Sequence, residues 1–172
     1  HARQRDLKSA GRLWKHATMA DIAGLDDEMA GYFAFTLVRN PWDRMVSYYH
    51  WLRVQRFDHP AVALAQKVSF GDFLHHPMTQ AAQRDWPAAA YMRDQNGQER
   101  ADLYARLEYL ETDLAPLQAH LGFALTPLAR ANASDRPRDW RGFYTDRDAA
   151  LVGEICAEDI ARFGYGFDPV KS

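Results

Sequence analysis

The chain holds a single cysteine, Cys156, among its 172 residues. An intrachain disulfide is therefore excluded, and an oxidising lumen has left no mark on the sequence. No window approaches the run of about 18 apolar residues that a membrane-spanning helix needs. Net charge is only −2, which argues against general nucleic-acid affinity, since that requires a basic face. The ten glycines never gather beside a basic residue, so no Gly-rich phosphate loop is present. Repeats and low-complexity linkers are absent as well.

What is there describes a folded protein. A hydrophobic content of 47% with 13% aromatics excludes a disordered chain. The length predicts one domain over residues 1–172 with a substantial core. Charge is unevenly spread. Residues 1–16 carry five basic side chains against one acid, and residues 130–147 carry five arginines against three aspartates. Two local basic regions suit a small polyanionic ligand, although solvated surface charge gives the same pattern. Cys156 lies in an apolar helical pattern and reads as a packed thiol.

The chain reads as alternating α and β segments. Residues 2–15 form a basic helical stretch, and Thr18 caps a short helix through Leu25. Residues 32–38 are a continuous apolar and aromatic run, the best strand in the sequence. Its lack of alternation predicts burial on both faces, as in a parallel sheet. A helix follows over 41–56. Two short helices are expected over 59–68 and 69–76, the second capped by Ser69 with Asp72 three residues on and ended by Pro77. Residues 79–102 are polar and mixed, with Gln95-Asn96-Gly97 a turn. A second strand is expected at 103–108, then a helix from Thr112 or Asp113 to Gly122. After a loop rich in Pro and Arg, Tyr144-Thr145-Asp146 leads into a last helix whose Ala149, Val152, Ile155, Cys156 and Ile160 make an apolar face. Gly164 suits its C-cap.

The segment 35–51 carries the most information: Phe35-Thr-Leu-Val-Arg39-Asn40-Pro41-Trp-Asp-Arg44-Met-Val-Ser47-Tyr48-Tyr49-His50-Trp51. Asn40 suits an N-cap and Pro41 the first helical position, so a strand stops and a helix starts here. Such a junction aims backbone N–H groups and a positive dipole end outward. Arg39 adds a bidentate anion clamp and Ser47 a hydroxyl donor. The construction suits a phosphate group.

Arg39, Asn40, Pro41, Arg44, Ser47 and Tyr49 together resemble the 3′-phosphate-binding motif of sulfotransferases that use 3′-phosphoadenosine 5′-phosphosulfate (PAPS). The best match is the carbohydrate type, often called family 2, which includes the uronosyl 2-O-sulfotransferases. Glu108, Leu110 and Asp113, and the ending Phe163-Gly164-Tyr165-Gly166-Phe167, are similar to further family segments, so the likeness covers about residues 14 to 168. The resemblance implies an α/β fold related to nucleotide kinases: a P-loop-type parallel sheet with helices on both faces. It implies PAPS as co-substrate, no metal, and a hydroxyl-bearing acceptor of the carbohydrate class to which the matched type belongs. By position Arg39 and Ser47 inherit the 3′-phosphate, and Arg44 of the same motif is expected to bind the nucleotide with them. The family also has a strand and a Pro-Lys-Thr/Ala-Gly-Thr/Ser loop for the 5′-phosphosulfate. This chain starts at His1 and shows no such loop, so an N-terminally truncated representation is expected. The Golgi relatives carry a membrane anchor and often disulfides; with neither here, a cytoplasmic, bacterial member is expected.

Sulfuryl transfer asks for a base, for cations around the sulfuryl oxygens and for a grip on the leaving phosphate. His16 lies 23 residues before Arg39, in Lys15-His16-Ala17-Thr18. Uronosyl 2-O-sulfotransferases have a similar Gly-His-Val-Ser-type segment, whose His resembles a general base. An imidazole near pKa 6.5 is matched to that task; a structural His before a helix is the competing reading. Arg136 and Arg138, after Asn132-Ala133-Ser134, are placed by the resemblance to close over the nucleotide phosphate or an acidic sugar, or else belong to a solvated loop. His75-His76 lack a third ligand of suitable spacing, so no metal is assigned. Trp42, Trp51, Trp86 and Trp140 suit either stacking on a ring or core packing. Two other functions fit parts of the pattern. A non-catalytic module for nucleotides or sulfated ligands would keep the 3′-phosphate site without the 5′ loop. A nucleotide kinase would need that loop and magnesium ligands that the sequence does not offer. No nucleic acid and no membrane are expected as partners.

Overall fold

A computed structural model of the chain describes residues 16–23, 31–125, 127–128, 137 and 139–168. The fold is α/β, with two parallel strands and nine helices among the described residues. The chain divides into two compact units, residues 1–38 with 86–125 and residues 39–85 with 126–172.

The first unit holds the sheet. Strand β1 (Phe35–Val38) pairs in parallel with β2 (Leu103–Arg106), Phe35 opposite Leu103 and Val38 opposite Arg106. Asp102 starts the pairing: its carboxylate accepts from the Ala34 N–H at 2.8 Å, and its own N–H donates to the Ala34 carbonyl at 2.7 Å. Burial alternates along β1. Val38 is buried, while Phe35 and Leu37 stay 42% and 49% exposed. The expectation of burial on both faces is therefore corrected. An unbroken apolar run looks the same whether one face or two are covered, and among the described residues only one edge of β1 bears a strand.

Strand β2 ends two residues earlier than expected, because Leu107–Tyr109 turn into a 3₁₀ segment. Asp113 clamps that end. Its carboxylate accepts from the Arg106 backbone N–H, Nε and Nη2 at 2.8–2.9 Å. The Arg106 hydrogen bond is the chief reason that this carboxyl lies below its usual range, against an opposing push from desolvation. Helices of residues Leu110–Asp113 and Ala115–Leu121 follow, and Gly122 closes the second with a φ of 74° that favours glycine. At the other end of the unit, Thr18 and Asp21 form a reciprocal turn, with the Thr18 N–H on the Asp21 carboxylate at 2.8 Å. The described part of this segment, through Ala23, is a turn and not a helix.

The second unit is helical. Helix α1 (Pro41–Arg53) is followed by α2 (Pro60–Lys67), α3 (Phe70–His75) and α4 (Pro77–Asp85). Pro77 ends α3 as expected, but it also begins α4 from the first helical position, where its missing N–H costs nothing. Helix α5 (Ala88–Met92), within the first unit, was likewise unexpected; its run of three alanines lacks the apolar spacing that marks longer helices. Near the C-terminus come α8 (Asp146–Ile155) and α9 (Ala157–Phe163), where one helix was expected; the break falls at Cys156. With α1–α5 so named, the two helices around Leu114 are α6 and α7.

One face of α1 supplies Trp42, Met45, Val46, Tyr49 and Leu52 to the core, at spacings of three and four. Phe70, Phe73 and Leu74 of α3 and Val152, Ile155 and Cys156 of α8 and its end meet them. The Tyr49 hydroxyl donates to the Val68 carbonyl at 2.8 Å, so this motif tyrosine locks α1 to the α2–α3 link. Burying each large side chain of this set contributes roughly 1.5–3 kcal/mol.

Candidate functional site

The site is built on the first turn of α1. Asn40 has a non-helical backbone (φ −46°, ψ 121°) and its side-chain oxygen accepts from the Trp42 N–H at 3.1 Å and the Asp43 N–H at 3.5 Å. Pro41 has no N–H, and the Arg44 N–H donates to the Asn40 carbonyl at 2.8 Å. The expected free N–H groups are thus occupied, and the turn offers an anion its dipole but not those donors. A cap that is good enough to start the helix consumes the donors an anion would use. The Asn40 amide nitrogen meanwhile donates to the Gly166 carbonyl at 3.0 Å.

That contact seats the Phe163-Gly164-Tyr165-Gly166-Phe167 segment beside the site. Phe167 packs edge-on against Trp42 and Trp140, with centroids 5.7 and 5.2 Å apart. The Trp42 indole N–H donates to the Ala149 carbonyl at 2.9 Å, and the Tyr144 hydroxyl to the Trp42 carbonyl at 2.7 Å. Gly164 ends α9 at a φ of 67°. A side chain at Gly166 would put its Cβ 3.2 Å from the Asp168 carbonyl, which explains a glycine there.

Arg39 stands just before the cap. One oxygen of Asp43 accepts from its Nε at 2.7 Å and lies 2.6 Å from its Nη2. Ser47 follows Asp43 by one turn, so the two share a face of α1. The Ser47 hydroxyl is half-buried and bonds to none of the described residues. Arg39, Asp43 and Ser47 are in this way brought to one side of the helix start.

Arg44 is placed differently. Its Nη2 donates to the Gln83 side chain at 2.9 Å and approaches the Cys156 sulfur at 3.7 Å, while Nη1 lies 3.5 Å from the Asp159 carboxylate. Its Nε is buried without a hydrogen-bond partner among the described residues. The guanidinium therefore braces α1 against α4 and α9. Burial pushes the Cys156 thiol up, and the nearby Arg44 only partly opposes this.

His16 belongs to the first unit and is exposed, two residues before the Thr18–Asp21 turn. That turn is fastened to α5 by the Met19 N–H, which donates to the Tyr91 carbonyl at 2.9 Å. Lys15, Arg136, Arg138 and the Asn132-Ala133-Ser134 segment lie outside the described residues. Arg141 of the same arginine-rich loop is committed to structure: its Nε donates to the Phe167 carbonyl at 3.0 Å and its guanidinium lies 4.4 Å over the Trp140 ring. Trp42 and Trp140 are core residues, whereas Trp51 and Trp86 are about half exposed.

Two acids escaped the sequence reading. Asp43 was signalled by its place four residues after Arg39, on the first helical turn. Asp148 was signalled by Thr145 three residues before it, a capping-box spacing. Asp148 is buried, and its carboxylate takes the Thr145 N–H and hydroxyl and the His75 ring at 2.7–3.1 Å. Desolvation alone would raise this carboxyl; the Thr145 and His75 bonds outweigh it and hold the group below its usual range. His76 has a separate task, its Nδ1 accepting from the Met78 N–H at the start of α4.

A model of the sulfotransferase family matches residues 1–164. The chain belongs to the sulfotransferase family. The match extends through both compact units and includes the Arg39-Asn40-Pro41 junction. No curated protein and no solved structure gives a significant match. No helix among the described residues of this sulfotransferase is long and apolar enough to cross a membrane.

Proposed function

We propose that this sulfotransferase moves the sulfuryl group of PAPS to a hydroxyl, with a carbohydrate as acceptor class, and that Arg39 and Ser47 hold the nucleotide 3′-phosphate. One observation carries the reading: Arg39 and the Ser47 hydroxyl lie on the same side of a capped helix start, with hydrogen-bonding capacity left on both. A 3′-phosphate there gains a guanidinium, a hydroxyl and the positive end of α1. Arg44, tied to Gln83 and Asp159, supports the same turn from behind. The family match through both units supports reading residues 1–172 as one sulfotransferase-like domain of nucleotide-kinase type.

In the reaction, the acceptor oxygen attacks sulfur in line and the bond from sulfur to the 5′-phosphate oxygen breaks. PAP leaves with that electron pair, and the acceptor proton passes to a base. His16 is the base in this reading, and Arg136 and Arg138 close on the nucleotide phosphate or an acidic sugar. In an enzyme that carries the 5′-phosphosulfate loop, His16→Ala should lower kcat about 10²–10⁴-fold and leave nucleotide binding nearly unchanged; activity within a few-fold of that parent removes the role.

Calorimetry with PAP and with AMP, which lacks the 3′-phosphate, tests the binding site. Arg39→Ala should weaken PAP binding by about 1.5–3 kcal/mol, the range for hydrogen bonds to charged groups, and leave AMP unaffected. Equal affinity of the parent chain for both nucleotides refutes the assignment.

A further inference from the structure

We infer that Asp43 is the positioning residue for Arg39, holding one edge of its guanidinium so that the other edge meets the phosphate; this rests on the 3′-phosphate reading above. A guanidinium carries five N–H donors and two edges on which a bidentate acceptor fits. One edge is Nε with Nη2, the other Nη1 with Nη2. Asp43 takes the first edge with a single oxygen, 2.7 Å from Nε and 2.6 Å from Nη2. The second edge meets none of the described residues, and the Arg39 side chain keeps 28% of its surface exposed.

The placement of each partner gives the pair its direction. Arg39 precedes the N-cap, so the helix lattice does not fix its long side chain. Asp43 is the third helical residue, its side chain only 17% exposed, and its negative charge is favoured by the dipole end it occupies. The short, anchored residue therefore orients the long, unanchored one. Ser47 lies one turn further along the same face of α1 as Asp43. A carboxylate beside a phosphate also repels it. Because Asp43 uses only the side edge, phosphate can bind the end edge without displacing it, and preorganisation of the arginine outweighs the repulsion.

The test is a double-mutant cycle on the 172-residue chain, read by calorimetry with PAP and AMP. Asp43→Ala should weaken PAP about tenfold and leave AMP unchanged, the AMP value serving as the check on folding. Asp43→Asn, which keeps an acceptor at the same place, should lose no more than about threefold. In the Arg39→Ala background, Asp43→Ala should not weaken PAP further. Tighter PAP binding in Asp43→Ala would overturn the proposal by making Asp43 a competitor for Arg39. Equal losses for PAP and AMP, or full additivity with Arg39→Ala, would overturn it by making Asp43 a helix-stabilising residue only. An unchanged PAP-to-AMP ratio in the single variant Arg39→Ala defeats the 3′-phosphate reading itself, and this inference with it; a changed ratio there with a silent Asp43→Ala defeats this inference alone.

Discussion

Asn40→Ala is the substitution that probes most of the site at once. The side chain caps α1 through Trp42 and Asp43 and grips the Gly166 carbonyl from the far end of the second unit's chain. Loss of the cap costs about 1 kcal/mol, within a range of roughly 0.5–2. Loss of the donor to Gly166 costs about 1 kcal/mol more, since that carbonyl is left to find water at a half-buried position. The expected destabilisation is about 2 kcal/mol, a shift of roughly 4–8 °C in Tm for a chain of this size. Urea unfolding followed by circular dichroism and by tryptophan fluorescence measures it, because Trp42 and Trp140 report the packing that Gly166 and Phe167 complete.

Two companions separate the parts. Asn40→Asp keeps the acceptor and gains from the helix dipole by about 0.3–1 kcal/mol, but it loses the donor and sets a carboxylate against the Gly166 carbonyl. It should fall between the parent and Asn40→Ala. Asn40→Gly loses only a few tenths of a kcal/mol as a cap, so most of its deficit reads the Gly166 bond. If Asn40→Ala lies within about 0.5 kcal/mol of the parent, the noise level of surface substitutions, the accounting is wrong. If Asn40→Asp is more stable than the parent by the full dipole gain of about 0.3–1 kcal/mol, the bond to Gly166 contributes nothing.

Two further outcomes follow from the buried titratable groups. Asp148 is held below the usual carboxylate range, so its contribution is present above the unfolded value of about 3.9 and fades as pH falls through the lower folded value. Asp148→Asn should therefore be about 1 kcal/mol less stable at pH 7, with the gap closing below about pH 4; a gap that stays constant across urea titrations from pH 7 to 3 refutes the linkage. Cys156 is buried with its thiol pushed upward, so it should resist an aromatic disulfide reagent at pH 8 and react fully once denaturant is added; complete labelling of the native chain within the mixing time refutes the packed-thiol reading.

The readable parts of the fold were those decided within a few residues. Asn40 with Pro41, His59 with Pro60, Ser69 with Asp72 and Thr145 ahead of α8 each mark a helix start by local hydrogen-bonding chemistry, and each lies at one. Gly122 and Gly164 mark two ends for the same reason. What escaped was decided by distance. The exposed side of β1 depends on what packs across each face of the strand, not on the composition of Phe35–Val38. Helix α4 was hidden because Pro77 serves as a stop for one helix and a start for the next. The break at Cys156 interrupts an apolar spacing that runs on unbroken in the sequence.

The site shows the same division at the level of single side chains. An arginine suits a phosphate because its guanidinium is a fork of charged donors, and it suits a carboxylate for the same reason. In the sequence Arg39 and Arg44 are both candidates to hold the nucleotide. The partners that distinguish them are far apart in one case and near in the other. Arg44 is taken up by Gln83, 39 residues away, and by the end of α8, 112 residues away. Arg39 is held by Asp43 four residues on, along one edge only. Ligand capacity in such a motif is thus what remains after the fold's own acceptors have been served. By that measure Arg39 keeps an edge to give and Arg44 supports the turn on which Arg39 stands.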